Sequence, residues 1–157
     1  MTSSADSLWH GRQCSQNAEP RWDNLRQVHR IRHNLFVISG IVTTTRITHA
    51  TPAALYSHTP NRDWEADTWY ENECKDVKDI AKQLIENDVG QKLDLIFGGG
   101  RRNFILESDG GKRKDEDLID AWKKKKGENG AVLQNITQLK DWNEEGFALG
   151  NKFSFLR

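Results

Sequence analysis

At 157 residues the chain is long enough for one buried core and short for two. Its 23 Lys and Arg balance 23 Asp and Glu, so no overall field steers it toward nucleic acid or an acidic membrane, and any phosphate site must be local. Hydrophobic residues at 36%, charged residues at 29% and six tryptophans make it polar for a globular domain but unlike a disordered chain.

Residues 1–34 carry no persistent apolar period, with His29, Arg30, Arg32 and His33 crowded together, and are expected to pack poorly. The opening MTSSADSLWHGRQC lacks the apolar centre of a signal peptide, and no run reaches the roughly 18 apolar residues of a membrane span. From Phe36 to Thr45 the β-branched run predicts a buried strand of a parallel sheet. Arg46 to Thr68 reads as a long functional loop with a helical turn at Pro52 to Tyr56.

Val77, Ile80, Ala81, Leu84 and Ile85 recur at i, i+3, i+4, i+7 and i+8, which predicts a helix over Asp76 to Asn87. A short strand follows at Leu93 to Phe97, closed by a turn at Gly98, Gly99 and Gly100. Asp115 to Lys126 reads as a helix with Leu118, Ile119 and Trp122 inward. Its four final lysines suit a solvated C-terminus better than an anion site. A strand at Ala131 to Gln134, a short helix around Thr137 to Glu144 and a strand at Phe147 to Leu149 complete the alternation. The fold class is therefore α/β, a mainly parallel sheet flanked by helices.

Gly98 to Asn103 fits neither GxGxxG nor GxxxxGK[ST], so it reads as a plain turn. Thr43, Thr44, Thr45 and Arg46 fall at a strand's carboxyl end, where open α/β sheets bind ligands. The loop beyond holds His49, Thr51, His58 and Arg62, the residue types of a phosphate site. Arg grips two oxygens, a hydroxyl suits magnesium, and His is a hydrogen-bond partner. By type alone the same segment also reads as an ordinary polar loop. Cys14 and Cys74, with no CxxC or His pair nearby, read as two unrelated thiols.

The run GIVTTTRITHATPAALYSHTPNRDW, Gly40 to Trp64, closely resembles a segment of animal alkaline phosphatases that reads approximately GVVTTTRVxHASPAGxYAHTxNRxW. Cys74 to Ile85 resembles that family's CxDIAxQLI helix with an inserted pair, and LDLIFGGGRR its DVILGGGR. LIDAWKKKKG and the region of Asn135 to Thr137 resemble an LVxEW helix and a WNRT segment. The likeness covers residues 39 to 142, and His49 stands where bacterial members carry Asp. It implies a partial alkaline phosphatase-like sandwich over 39–150, with a divergent N-terminal segment at 1–38 and a divergent tail at 151–157.

The resemblance implies roles residue by residue. Arg62 falls on the substrate-binding arginine, Thr51 on a magnesium ligand, and His49 on a residue that contacts the phosphate or magnesium region. The intact family uses magnesium and zinc to hydrolyse phosphomonoesters; here at most a partial magnesium site is expected. Asp6-Ser7-Leu8 does not match the Asp-Ser-Ala of the nucleophile, and His10, His29, His33 and His58 make no zinc set.

The expectation is an internal fragment, inactive alone. The alternative is a dead phosphate-binding or partner-binding remnant that pairs with an intact homologue. The family also implies a Cys14–Cys74 disulfide, glycosylation at Asn135, a secreted or cell-surface location and homo-oligomers. Phosphate or a phosphomonoester is the expected partner, with no nucleic acid and no membrane span.

Overall fold

The computed structural model describes residues 39–69, 77–142 and 146–150. Strands β1 (Gly40–Arg46), β2 (Leu95–Gly99), β3 (Gly130–Leu133) and β4 (Phe147–Gly150) form one parallel sheet in the order β1-β2-β4-β3. The expected α/β class is thereby met. The helices are α1 (Ala50–Ala53), α2 (Ile80–Glu86), α3 (Asp88–Gln91), α4 (Leu118–Lys126) and α5 (Ile136–Asp141). The expectations for residues 1–38, for the tail at 151–157 and for Cys14 and Cys74 lie outside the described residues.

One row of side chains explains the packing. Ile41 pairs with Ile96, Ile96 with Leu149 and Leu149 with Val132, so a single apolar row crosses all four strands on one face. Against it lie Ile80, Ala81, Leu84 and Ile85 of α2 and Leu118, Ile119 and Trp122 of α4. The apolar stripe of the sequence is thus the layer that covers the sheet. On the opposite face Leu133 and Ala148 pack with Leu95, Phe97, Ala131 and with Leu139 and Trp142 at α5. Val42, beside Phe97 on that face, is 71% exposed.

Several boundaries differ from expectation, each for a local reason. Helix α2 begins at Ile80 rather than Asp76, because the Asp79 side chain accepts from Lys82 N and caps the helix there. Helix α4 begins at Leu118 rather than Asp115, because Asp117 caps it through Ile119 N and Asp120 N. Helix α5 starts at Ile136 behind the Asn135 cap and ends at Asp141 rather than running to Glu144. The helical turn expected at Pro52 to Tyr56 sits earlier, at Ala50–Ala53.

Gly98 and Gly99 belong to β2 rather than to a turn. Arg46 pairs with Gly99, and Ile47 N donates to Gly99 O at 3.1 Å. Only Gly100 turns the chain, at φ 88°. Two of the four lysines at the end of α4 donate to backbone carbonyls, those of neighbouring helices. Lys125 Nζ donates to Ile85 O at 3.3 Å and Lys126 Nζ to Gln91 O.

Candidate functional site

The loop that leaves the carboxyl end of β1 returns on itself within four residues. His49 N donates to Arg46 O at 3.0 Å, and α1 follows at once. Below it, the buried Tyr56 donates its hydroxyl to Ile47 O at 2.9 Å, which fixes α1 to the strand end. Thr48 is fully buried, while His49 beside it remains partly exposed.

Arg62 stands on a second turn that is held at both ends. On the near side the buried Gln83 of α2 accepts from His58 N at 2.8 Å and donates to His58 O at 2.9 Å. On the far side Ile80 N donates to Trp64 O at 2.9 Å. Between them Thr59 and Asn61 fold the turn, with Asp63 N donating to Asn61 Oδ1 at 2.9 Å. The polar loop of the sequence is therefore a scaffolded loop, with its tip at residues 60–63 exposed.

At that tip the Arg62 guanidinium NH2 lies 3.4 Å from His49 Nε2. The contact is a long hydrogen bond when Nε2 carries no proton. Arg62 is exposed, so a guanidinium fork and an imidazole meet at the surface beyond the carboxyl end of β1. Thr51, two residues from His49, is exposed on α1.

Arg46, one of the residues expected to face a ligand, is instead engaged by Glu65. Its Nε and NH2 donate to Glu65 at 2.9 and 2.7 Å. Thr48 Oγ1 donates to the same carboxylate at 2.6 Å and Asn103 Nδ2 at 2.9 Å. Burial alone would raise the Glu65 carboxyl, yet Arg46 and Thr48 hold it below its ordinary value. Glu65, Thr48 and Asn103 carry no motif, and only the Arg46 position was marked by the sequence.

Among the described residues no group of three or more His, Cys, Asp or Glu stands close enough to hold a metal ion. Thr51 alone supplies one hydroxyl, which does not make a magnesium site, because that ion takes an octahedron of oxygen ligands. Asn135 is exposed, with its Oδ1 accepting from Gln138 N at 2.9 Å. Among the described residues no helix is long and apolar enough to cross a membrane.

The family model for alkaline phosphatase matches residues 37–150. The chain belongs to the alkaline phosphatase family. Within it, the chain is 41% identical over 116 residues to the membrane-bound alkaline phosphatase of Bombyx mori, which spans 68% of the chain and 20% of that relative. It is 56% identical over 63 residues to alkaline phosphatase 4 of Drosophila melanogaster, 40% of the chain and 11% of the relative. It is also 40% identical over 116 residues to the human tissue-nonspecific isozyme, 64% of the chain and 22% of the relative. The chain thus spans about a fifth or less of the length of these alkaline phosphatases.

Proposed function

We propose that this chain carries the phosphate-gripping part of an alkaline phosphatase and binds the phosphoryl group of phosphomonoesters through Arg62 and His49. The observation that supports this most is the 3.4 Å approach of Arg62 to His49 at the exposed tip of a loop clamped on both sides. The guanidinium donates to two phosphate oxygens at once, and the imidazole donates to a third when protonated. Holding the loop in advance reduces the ordering cost of binding.

The grip is a ground-state interaction and does not by itself lower a barrier. The reaction of the family further needs a nucleophile and a metal cage; among the described residues no group of three or more His, Cys, Asp or Glu stands close enough to hold an ion. On our reading the 157-residue chain is inactive alone, with at most one magnesium ligand at Thr51. The deciding experiment is phosphorus NMR or calorimetry of inorganic phosphate on the full chain. Binding that Arg62→Ala removes supports the reading, and binding indifferent to Arg62 refutes it. Hydrolysis of a phosphomonoester by the purified chain with zinc and magnesium would refute the claim of inactivity.

A second reading, a partner-binding remnant that pairs with an intact homologue, is favoured by one feature. Val42 is 71% exposed beside the half-buried Phe97, an apolar strip that a further layer would cover. Mixing the chain with an intact homologue and measuring mass by light scattering tests it. A monomer peak alone under all mixtures refutes pairing.

The same family reading carries a Cys14–Cys74 disulfide, a secreted or cell-surface location and homo-oligomers. The bridge closes a loop of about sixty residues, for which chain entropy gives roughly 4 kcal/mol. An intact mass lighter by two hydrogens before reduction checks it in secreted material.

A further inference from the structure

The two segments that meet at the candidate site, 46–49 and 62–65, are joined by one carboxylate. Glu65 receives Arg46 and Thr48 from the first segment and sits three residues after Arg62 in the second. Thr48 is fully buried and immediately precedes His49. Asn103, 1% exposed, donates to both Thr48 Oγ1 at 2.8 Å and Glu65 at 2.9 Å. Its own Oδ1 is buried with no hydrogen-bond partner among the described residues. A buried acceptor left unmatched costs stability, so the amide is turned to serve Thr48 and Glu65 at the expense of its own oxygen.

We propose that Glu65 is the positioning residue of the phosphate site: by binding Arg46, Thr48 and Asn103 together it sets the spacing between Arg62 and His49. The inference rests on the phosphate-binding reading above and adds to it a residue that touches no phosphate. Glu65 is 13% exposed at its side chain and surrounded by its donors. Four hydrogen-bond donors converge on two oxygens, so the carboxylate has one available pose, and the turn that carries Arg62 is anchored to it.

The sign of one measurement separates positioning from plain charge. An anionic carboxylate near a phosphate repels it, so if Glu65 acted only through its field, Glu65→Gln would bind inorganic phosphate more tightly. A positioning role predicts the reverse, because the amide NH2 of Gln faces a donor of Arg46 and the network loosens. About tenfold weaker binding is expected for Glu65→Gln, and about threefold weaker binding for Thr48→Val, which removes one hydroxyl and keeps the charge. Glu65→Asp keeps the charge but withdraws the carboxylate by one methylene, and it too weakens binding.

The experiment titrates the full chain and these variants with inorganic phosphate, and follows the Arg62 Nε–H resonance without ligand. In the starting chain that resonance is expected to be shifted and sharp; in Glu65→Gln it moves toward the free-arginine position. If Arg62→Ala leaves phosphate binding unchanged, the phosphate reading fails, and the Arg62 resonance alone then decides the role of Glu65. Unchanged or tighter binding in Glu65→Gln with an unmoved resonance overturns the proposal. If Glu65→Gln does not fold, Thr48→Val decides: unchanged affinity and an unmoved Arg62 resonance overturn it.

Discussion

Arg113 donates through NH1 and NH2 to the two carboxylate oxygens of Asp79, at 3.2 and 3.0 Å, and neither side chain has any exposure. The same guanidinium also reaches Asp115 at 2.9 Å and the carbonyls of Glu116 and Asn103. All its donors are thereby used inside the protein. Asp79 is also the cap of α2, so one ion pair ties the start of that helix to the segment leading into α4. Removing one partner strands a buried charge. Arg113→Met is expected to destabilise by about 3–5 kcal/mol in urea unfolding, and a loss below about 1 kcal/mol would contradict this account. Asp79→Leu combined with Arg113→Met should recover part of the loss, since no charge is then left unpaired.

The acid limb of stability should follow two carboxylates. Burial opposes ionisation of Asp115, but Arg113 and Lys82 hold its carboxyl well below the usual range, and Glu65 is likewise lowered. A group depressed on folding adds stability that is present above its unfolded value, about 4 for a carboxylate, and is lost as the pH falls through the folded value. The melting temperature should thus fall as the pH drops below about 4, and Asp115→Asn should flatten that slope. Lys82 works at the other end: burial lowers it, but Asp115 and Glu116 raise it to about 12. Its contribution is complete below its unfolded value of about 10.4 and is lost as the pH rises through the folded one.

The junction of α2 and α3 tolerates no added carbon. A Cβ on Gly90 would lie 1.9 Å from Leu84 O, a backbone atom that cannot swing aside. Gly90→Ala should destabilise by about 1–3 kcal/mol through forced backbone displacement. Leu84→Ala, at a fully buried position, should cost about 2–5 kcal/mol by leaving a cavity. Chemical denaturation of both variants checks the pair, and a neutral Gly90→Ala would show that the two helices sit further apart.

The Asn135 cap occupies only one of the two polar atoms of its side chain. Its Oδ1 caps α5 by accepting from Gln138 N, which leaves Nδ2 for a glycan in the Asn135-Ile136-Thr137 triplet. Expression through a secretory pathway should therefore give a mass shift removed by amidase treatment and absent in Asn135→Gln. Asn135→Ala should in addition cost about 1 kcal/mol by removing the cap. Thr137→Ala removes the glycan but keeps the cap, and equal stability losses in both variants would contradict this division.

Periodic features were legible in the sequence and convergent ones were not. Ile80, Ala81, Leu84 and Ile85 of the apolar stripe are the buried face of α2, because a helix repeats its exposure every three to four residues, while Val77 precedes the helix. Arg62 and His49 were legible through a motif, and the structure brings them together. Nothing in the local sequence marks that Glu65 meets Asn103 across 38 residues or that Asp79 meets Arg113 across 34. Such pairs depend on where the chain returns, and their residue types are those of any solvated surface. The helix starts differ from expectation for a related reason: apolar spacing sets a helix's buried face but not its first residue, and the cap geometry places Asp79 and Asp117 just outside.

The sheet order has a consequence for synthesis on the ribosome. Because β4 lies between β2 and β3, the last of the four strands to be made is an inner one. The pair β1 and β2 can form early, but β3 has no neighbour in the sheet until β4 emerges. About fifty residues separate the end of β2 from the end of β4, which at 5–20 residues per second leaves the β2 edge open for roughly three to ten seconds. An open edge of Leu95, Ile96 and Phe97 is a template for pairing with another nascent chain. A chaperone that binds extended apolar segments should therefore crosslink to this edge on stalled chains ending near residue 130, and release it on chains long enough to expose β4.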